Sequence, residues 1–432
     1  MKYCISWLRV IWFWLFYLFL RVWHMMHLNG FSRRVMGRGV IAALVSSAAH
    51  LGGRQPVVFG EEKDARAEPM PEPKARVHAT KVISRDHAYY CGWPTLTRRS
   101  NGQLIVVWSG GREQHVCPFG RVDLMRSDDD GDTWTWPRTI LDGAIDDRDA
   151  GVLETDSGAL LVTTFTSLAY VDHGLKKALD QRTTQKAWPE NKLERWLSAH
   201  ERLSENQRKE ELGQWMIRST DGGITWSKRY PSIVNSPHGP IQVSDGRLLY
   251  AGVKLWDPSR EVGVCQSTDD GQSWSWLSGI PTRPGDDAKN YHELHAVEAT
   301  DGTIVVQIRN HNTANNQETL QTESRDGGES WSVPHSIGVW GLPSHLLRLR
   351  DGRLVMSYGY RRQPFGVQAR ISEDSGKTWS KSMSIVSDGV GGDLGYPSTV
   401  ELADGKLLTV WYERMKESPM AVLRQAKWSV ES

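Results

Sequence analysis

SDDDGDTW (Ser127–Trp134), STDGGITW (Ser219–Trp226), STDDGQSW (Ser267–Trp274), SRDGGESW (Ser324–Trp331) and SEDSGKTW (Ser372–Trp379) are five copies of one pattern, Ser-x-Asp-x-Gly-x-(Thr/Ser)-Trp. The residue types describe a hairpin turn. The Asp accepts backbone N–H groups within the turn, the Gly takes a positive φ, and the Trp packs under the next hairpin. Five copies make the pattern a structural repeat rather than a chance match.

Working outward, each copy belongs to a larger unit that contains a strand, a tight turn and a strand. These hairpins begin at Thr95 (TLTRRSNGQLIVVW), Val152 (VLETDSGALLVTTF), Ile241 (IQVSDGRLLYAGV), Ala296 (AVEATDGTIVVQI), Leu346 (LLRLRDGRLVMSY) and Thr399 (TVELADGKLLTVW). Alternating strands around Asn-Gly, Ser-Gly or Asp-Gly form a strong hairpin signal. Six hairpins predict an all-β chain, six blades of four antiparallel strands around one axis. The Ser-to-Ser intervals of the boxes are 92, 48, 57 and 48 residues. The long first interval contains residues 171–212, which are charged, Gly-poor and helix-favouring, so a helical insertion within blade two is expected there. The sixth unit runs out at Ala421–Trp428 without a box, and residues 77–83 are the candidate strand to complete that blade and close the ring.

The ends and the composition bound the rest. Residues 11–20 (IWFWLFYLFL) are apolar but shorter than a membrane span, and a second run, VIAALVSSAA from Val40, follows Arg33, Arg34 and Arg38. Residues 1–53 therefore read as targeting sequence: a secretory signal, a signal anchor over 5–28, or an over-extended start with the true one at Met25, Met26 or Met36. Residues 54–75 read as a charged, Pro-rich disordered linker and 76–432 as the propeller. Export to the outside or the periplasm is expected, with membrane attachment only through the N-terminal segment. With 52 Lys+Arg against 51 Asp+Glu, no cationic excess exists to bind nucleic acid. Four cysteines, Cys4, Cys91, Cys117 and Cys265, form no CxxC pair, which excludes a zinc ribbon or a disulfide scaffold; where the loop around Cys117 simply packs, Cys117 is placed near Cys91.

Boxes of this kind on six blades resemble the sialidase (neuraminidase) superfamily, over residues 76–432. The boxes speak for the fold and not the activity, which belongs to residues at the axis. The resemblance implies an exo-acting glycosidase with a Tyr nucleophile, a Glu that activates it, an arginine clamp for the substrate carboxylate, an Asp acid/base and no cofactor. Tyr396, eight residues before Asp404, matches the nucleophile, in a stretch ending in Tyr412-Glu413. Glu293 and Arg309, sixteen apart across a hairpin, match the activating Glu and one clamp arginine. Arg361 or Arg362 stands near the position of a second. The first clamp arginine is replaced by Gly92-Trp93-Pro94, and no Asp lies between Arg112 and Asp123. Glu113 or His115 could take the proton-transfer role and Arg112 or Arg121 part of the clamp, or this loop simply packs.

Asp146, Asp147 and Asp149 around Arg148 form either an ion-pair knot or a group with one carboxylate facing the site. A metal centre at His238, His292, His295 and His311 is not expected, because residues 292 and 295 on a strand point to opposite faces. Three readings follow: a hydrolase of a terminal acidic sugar, a propeller lyase acting on uronic acids with Tyr396 or His115 as base, and a carbohydrate-binding propeller without catalysis.

Overall fold

The computed structural model describes residues 72–84 and 88–431; residues 1–53, read above as targeting sequence, and residues 54–71, read as linker, lie outside them. Among these residues, twenty-four strands form six four-stranded antiparallel sheets. The inner strands are Tyr90–Arg98, Asp146–Glu154, Ile241–Gln242, Tyr291–Glu298, Ser344–Arg348 and Leu394–Glu401, for blades one to six. Each is joined to its second strand by one of the Gly turns. The second strands read as near-continuous apolar runs because each blade is covered on both faces. Six apolar clusters fill the six interfaces between successive blades, including the one between blades six and one.

The ring closes with the two chain ends, as the sequence predicts. Lys74–Val82 pairs antiparallel with Ala421–Glu431, from Lys74 opposite Glu431 to Val82 opposite Arg424, with one bulge between Val77 and Ala79. The strand begins at Lys74, so the last two residues assigned to the linker belong to the sheet.

All five boxes share one geometry. In the first, Ser127 Oγ donates to Asp129 Oδ1 at 2.7 Å and accepts from the Gly131 N–H at 2.8 Å, while Asp129 accepts from both the N–H and the hydroxyl of Thr133. One expectation is corrected. The box Trp packs against the preceding blade, not the next hairpin: Trp134 Nε1 donates to Gln425 of blade six, Trp331 to Ser278 of blade three and Trp379 to Gln321 of blade four. The turn between third and fourth strands faces the third or fourth strand of the blade before it, so each box staples one interface.

The insertion leaves blade two between Leu160–Ser167 and Gln214–Ser219 and is largely helical, with a π-turn at Val171–Leu175 and helices Lys176–Asp180, Glu190–Glu201 and Glu205–Glu210. It has its own apolar cluster, in which Tyr170, Leu175, Ala178, Leu193 and Trp196 enclose Cys117 of blade one. The insertion thus braces the loop Glu113–Gly120.

Because the Lys74–Val82 strand covers an otherwise open edge, its removal should expose a row of unpaired backbone groups. A chain starting at residue 84 should lose its cooperative thermal transition or aggregate, and one starting at 72 should melt like the full chain. Equal melting of the two would show that closure contributes nothing.

Candidate active site

The site is built by a backbone device repeated in four blades. Trp93, Asp149, Glu293 and Tyr396 each have a positive φ, of 55°, 50°, 44° and 51°. Each lies in an inner-strand bulge, where pairing with the second strand slips between Gly92 and Thr95, Arg148 and Gly151, His292 and His295, and Gly395 and Ser398. A bulge re-aims one side chain out of the pleat alternation, here towards the axis. Each of the four stands nine residues before its blade's turn glycine, Gly102, Gly158, Gly302 or Gly405. That spacing, followed only from Tyr396, would have singled out Asp149 as well.

Three of the predicted residues meet. The Tyr396 hydroxyl donates to Glu293 Oε1 at 2.5 Å, and Arg309 Nη1 donates to Glu293 Oε2 at 2.5 Å and to the Tyr396 oxygen at 3.1 Å. Burial opposes ionisation of Glu293, but Arg309, the Tyr396 hydroxyl and Arg361 outweigh it and hold the carboxylate below its usual range. Burial and the Glu293 charge push the Tyr396 phenol well above its usual value. The resting pair is therefore a carboxylate base holding the proton of a neutral phenol. Glu293 keeps 20% of its side chain open to solvent and Arg309 13%.

Of Arg361 and Arg362, the first reaches this cluster. Its guanidinium lies 5.7 Å from the Tyr396 ring centre and its Nε donates to the Leu394 carbonyl. Arg362 turns away onto the Trp340 ring and the Asn316 carbonyl.

The blade-one loop divides in the same way. Arg112 is fully buried and grips Asp146, with Nη1 2.7 Å from Oδ1 and Nη2 donating to Oδ2 at 2.9 Å; a side chain at Gly120 would collide with this pair. Arg121 pairs with Asp123. Neither guanidinium is free to join the clamp. Glu113 is also engaged, its carboxylate accepting from Arg195 and from Trp196 Nε1 of the insertion. It anchors the helices. His115 is different: its side chain is half exposed, its ring lies 4.9 Å from Trp93, and Trp93 lies 6.3 Å from Tyr396. Cys91 lies in the cluster between blades six and one and Cys117 in that of the insertion, so the two do not pack together.

The acidic stretch of blade two realises both alternatives. Asp146 pairs with Arg112, Asp147 accepts from the Gly143 N–H at 2.5 Å, and Arg148 lies over Trp93 with its guanidinium carbon 4.6 Å from the ring centre. Asp149, carried to the axis by its bulge, has no hydrogen-bond partner among the described residues; burial pushes its carboxyl up to about 7, with Arg148 opposing and Glu293 adding to the shift. Of the histidines, His292 packs on His311 on the site side, while His238, His295 and His345 stack as a buried plug further along the axis. His295 and His345 each accept a backbone N–H from the next blade at Nδ1. No group of three or more possible metal ligands occurs among the described residues.

Residues 184–409 match the BNR repeat-like domain. The chain belongs to that family. It is 25% identical over 354 residues to a sialidase of Bacteroides fragilis, a match covering 74% of this chain and 59% of the relative. The chain thus spans about three-fifths of that relative's length. Among solved structures, a protein of unknown function from Dyadobacter fermentans has a TM-score of 0.64 at 21% identity, covering 83% of this chain and 99% of the other. The NanB sialidase of Streptococcus pneumoniae has a TM-score of 0.55 at 16% identity, covering 81% of this chain and 70% of the other. This BNR-repeat propeller is a divergent one, and Tyr396, Glu293 and Arg309 form one hydrogen-bonded cluster in it.

Because the Asp149 carboxyl sits near 7 when folded and near 3.9 in an unfolded chain, folding retains a proton between those values and stability is lost as pH rises through that window. Asp149→Asn removes the loss. Its stability relative to wild type should rise by about 1.4 kcal/mol per unit from pH 4 to 7 and level off above. Urea unfolding at several pH values measures this, and parallel curves for the two proteins would mean that Asp149 is not held protonated.

Proposed function

We propose that this propeller is an exo-acting glycoside hydrolase that removes a terminal acidic sugar, such as sialic acid, from glycans. Tyr396 is the nucleophile and Glu293 its base. The observation that carries this reading is the Tyr396 hydroxyl donating to Glu293 while Arg309 bridges both. An anionic sugar repels a carboxylate nucleophile, whereas a neutral phenol can approach and lose its proton as it attacks the anomeric carbon. Arg309 and Arg361 supply planar donors for the substrate carboxylate. His115, half exposed across Trp93 from Tyr396, transfers a proton to the leaving oxygen. The likeness to sialidases supports the same class of substrate. Export, secreted or periplasmic, accompanies this reading because of the apolar N-terminal runs; sequencing the mature N-terminus from each cell fraction tests it.

The function is tested with purified protein on a panel of acidic glycans. Release of the free acidic sugar is expected, while an ultraviolet-absorbing unsaturated product would indicate a lyase, and binding without product a lectin-like propeller. On a turned-over substrate, Tyr396→Phe and Glu293→Gln should each lower kcat by about 10²–10⁴ with little change in binding. Turnover by Tyr396→Phe within a few-fold of wild type would remove Tyr396 as nucleophile. Arg309→Lys keeps the charge but loses the fork, and should raise KM about tenfold or more.

A further inference from the structure

Beside the nucleophile stands a second polar cluster that the Tyr396–Glu293 chemistry leaves unused. His115 Nδ1 lies 2.8 Å from the Tyr90 hydroxyl and 3.2 Å from Asp393 Oδ1. Tyr90 itself donates to Asp393 Oδ1 at 2.8 Å, and Tyr412 approaches the same oxygen at 3.3 Å. Since the proton of Tyr90 is given to Asp393, the neighbouring imidazole nitrogen must be the donor within this triangle. That assigns the proton of the neutral ring to Nδ1 and leaves Nε2 as the free atom on a half-exposed ring. Asp393 is three residues before Tyr396, just ahead of strand Leu394–Glu401, and Tyr90 three before Trp93, so the entries of two adjacent inner strands meet the blade-one loop that carries His115.

We propose that Asp393 and Tyr90 are positioning residues that orient His115, so that its Nε2 serves as the acid and then the base of the glycosidase reaction. This rests on the hydrolase reading above. In the first step the anomeric carbon forms a bond to the Tyr396 oxygen and breaks its bond to the aglycone oxygen. The phenol proton passes to Glu293 and the His115 Nε2 proton to the aglycone. In the second step water attacks the same carbon and gives its proton to neutral His115, and Tyr396 leaves with the proton held by Glu293. Asp393 stabilises the imidazolium present before the first step. Its own carboxylate is opposed by burial but held below its usual range by His115, Tyr90 and Arg361. Charged groups near His115 also include Asp146 and Arg112, which pair with each other while Arg112 Nη2 donates to the His115 carbonyl, and Arg148, whose guanidinium lies over the Trp93 ring that His115 meets. The arrangement substitutes an oriented imidazole for the aspartic acid that this loop lacks.

Two measurements test the proposal, one without substrate. Imidazole ¹⁵N shifts of the full chain at pH 8 should show His115 as the Nδ1–H tautomer, and Asp393→Ala should reduce that preference; an Nε2–H ring in wild type overturns the assignment. The second compares two N-acetylneuraminic acid glycosides, the lactosyl one, whose leaving oxygen needs a proton, and the 4-methylumbelliferyl one, whose leaving group does not. His115→Ala and His115→Gln should slow the lactosyl substrate by about 10²–10⁴ and the aryl substrate by less than about tenfold. Asp393→Ala should show the same dependence on leaving group, to a smaller extent. Equal losses on both substrates would reduce the cluster to a structural role. Absence of turnover of either glycoside by wild type, with the Nδ1–H tautomer present, would overturn both the hydrolase reading and the acid/base role while leaving the positioning geometry standing.

Discussion

The pairing of Lys74–Val82 with Ala421–Glu431 is the constraint on which the remainder depends. A radial array has no single core. Its apolar clusters lie between blades, and each blade is covered only if both neighbours are present. Joining the two chain ends in one sheet makes the sixth blade share its fate with the first. The cluster of blades six and one contains Trp93, Tyr396 and Tyr412, so the same closure holds Tyr396 in place.

A closed ring can also hold strained backbone. Non-glycine residues in the left-handed region cost on the order of 1–2 kcal/mol each. Trp93, Asp149, Glu293 and Tyr396 all occupy it, with the following residues paired in register on the second strand. The ladder on one side and the neighbouring blades on the other leave these bulges little alternative. Strain stored at these four positions brings two carboxyls, a phenol and an indole to one end of the axis, a composition no single strand could present.

Charge at the site is organised by burial as much as by pairing. Glu293 stays ionised because Arg309 shares its carboxylate, whereas Asp149, without such a partner, is pushed up to about 7. Neighbouring carboxyls are thereby held in different protonation states, which limits the negative charge gathered at this end of the axis. The blade-one loop shows the opposite use of charge. Arg112 and Glu113 are consumed in fixing the loop, on Asp146 and on the insertion, and His115 is the titratable group left facing solvent beside the site.

The periodic part of this structure is legible in the chain because it rests on local chemistry. Box turns, Gly hairpins and a helix-favouring insertion are each decided by residues within about ten positions of one another, and their count and spacing imply six blades and closure by the two ends. Glu293 and Arg309 are singled out by the resemblance to sialidases, whose spacing across one hairpin they share. What local chemistry could not decide is which polar side chain at a strand end turns inward and which is consumed by a partner. Glu113 meets Arg195 of the insertion, Arg112 meets Asp146 of the next blade, and Asp393 meets His115 and Tyr90 across the closure. Those partners are up to 303 residues apart, and only the packing of blade against blade determines which charges are neutralised and which remain to act on a ligand.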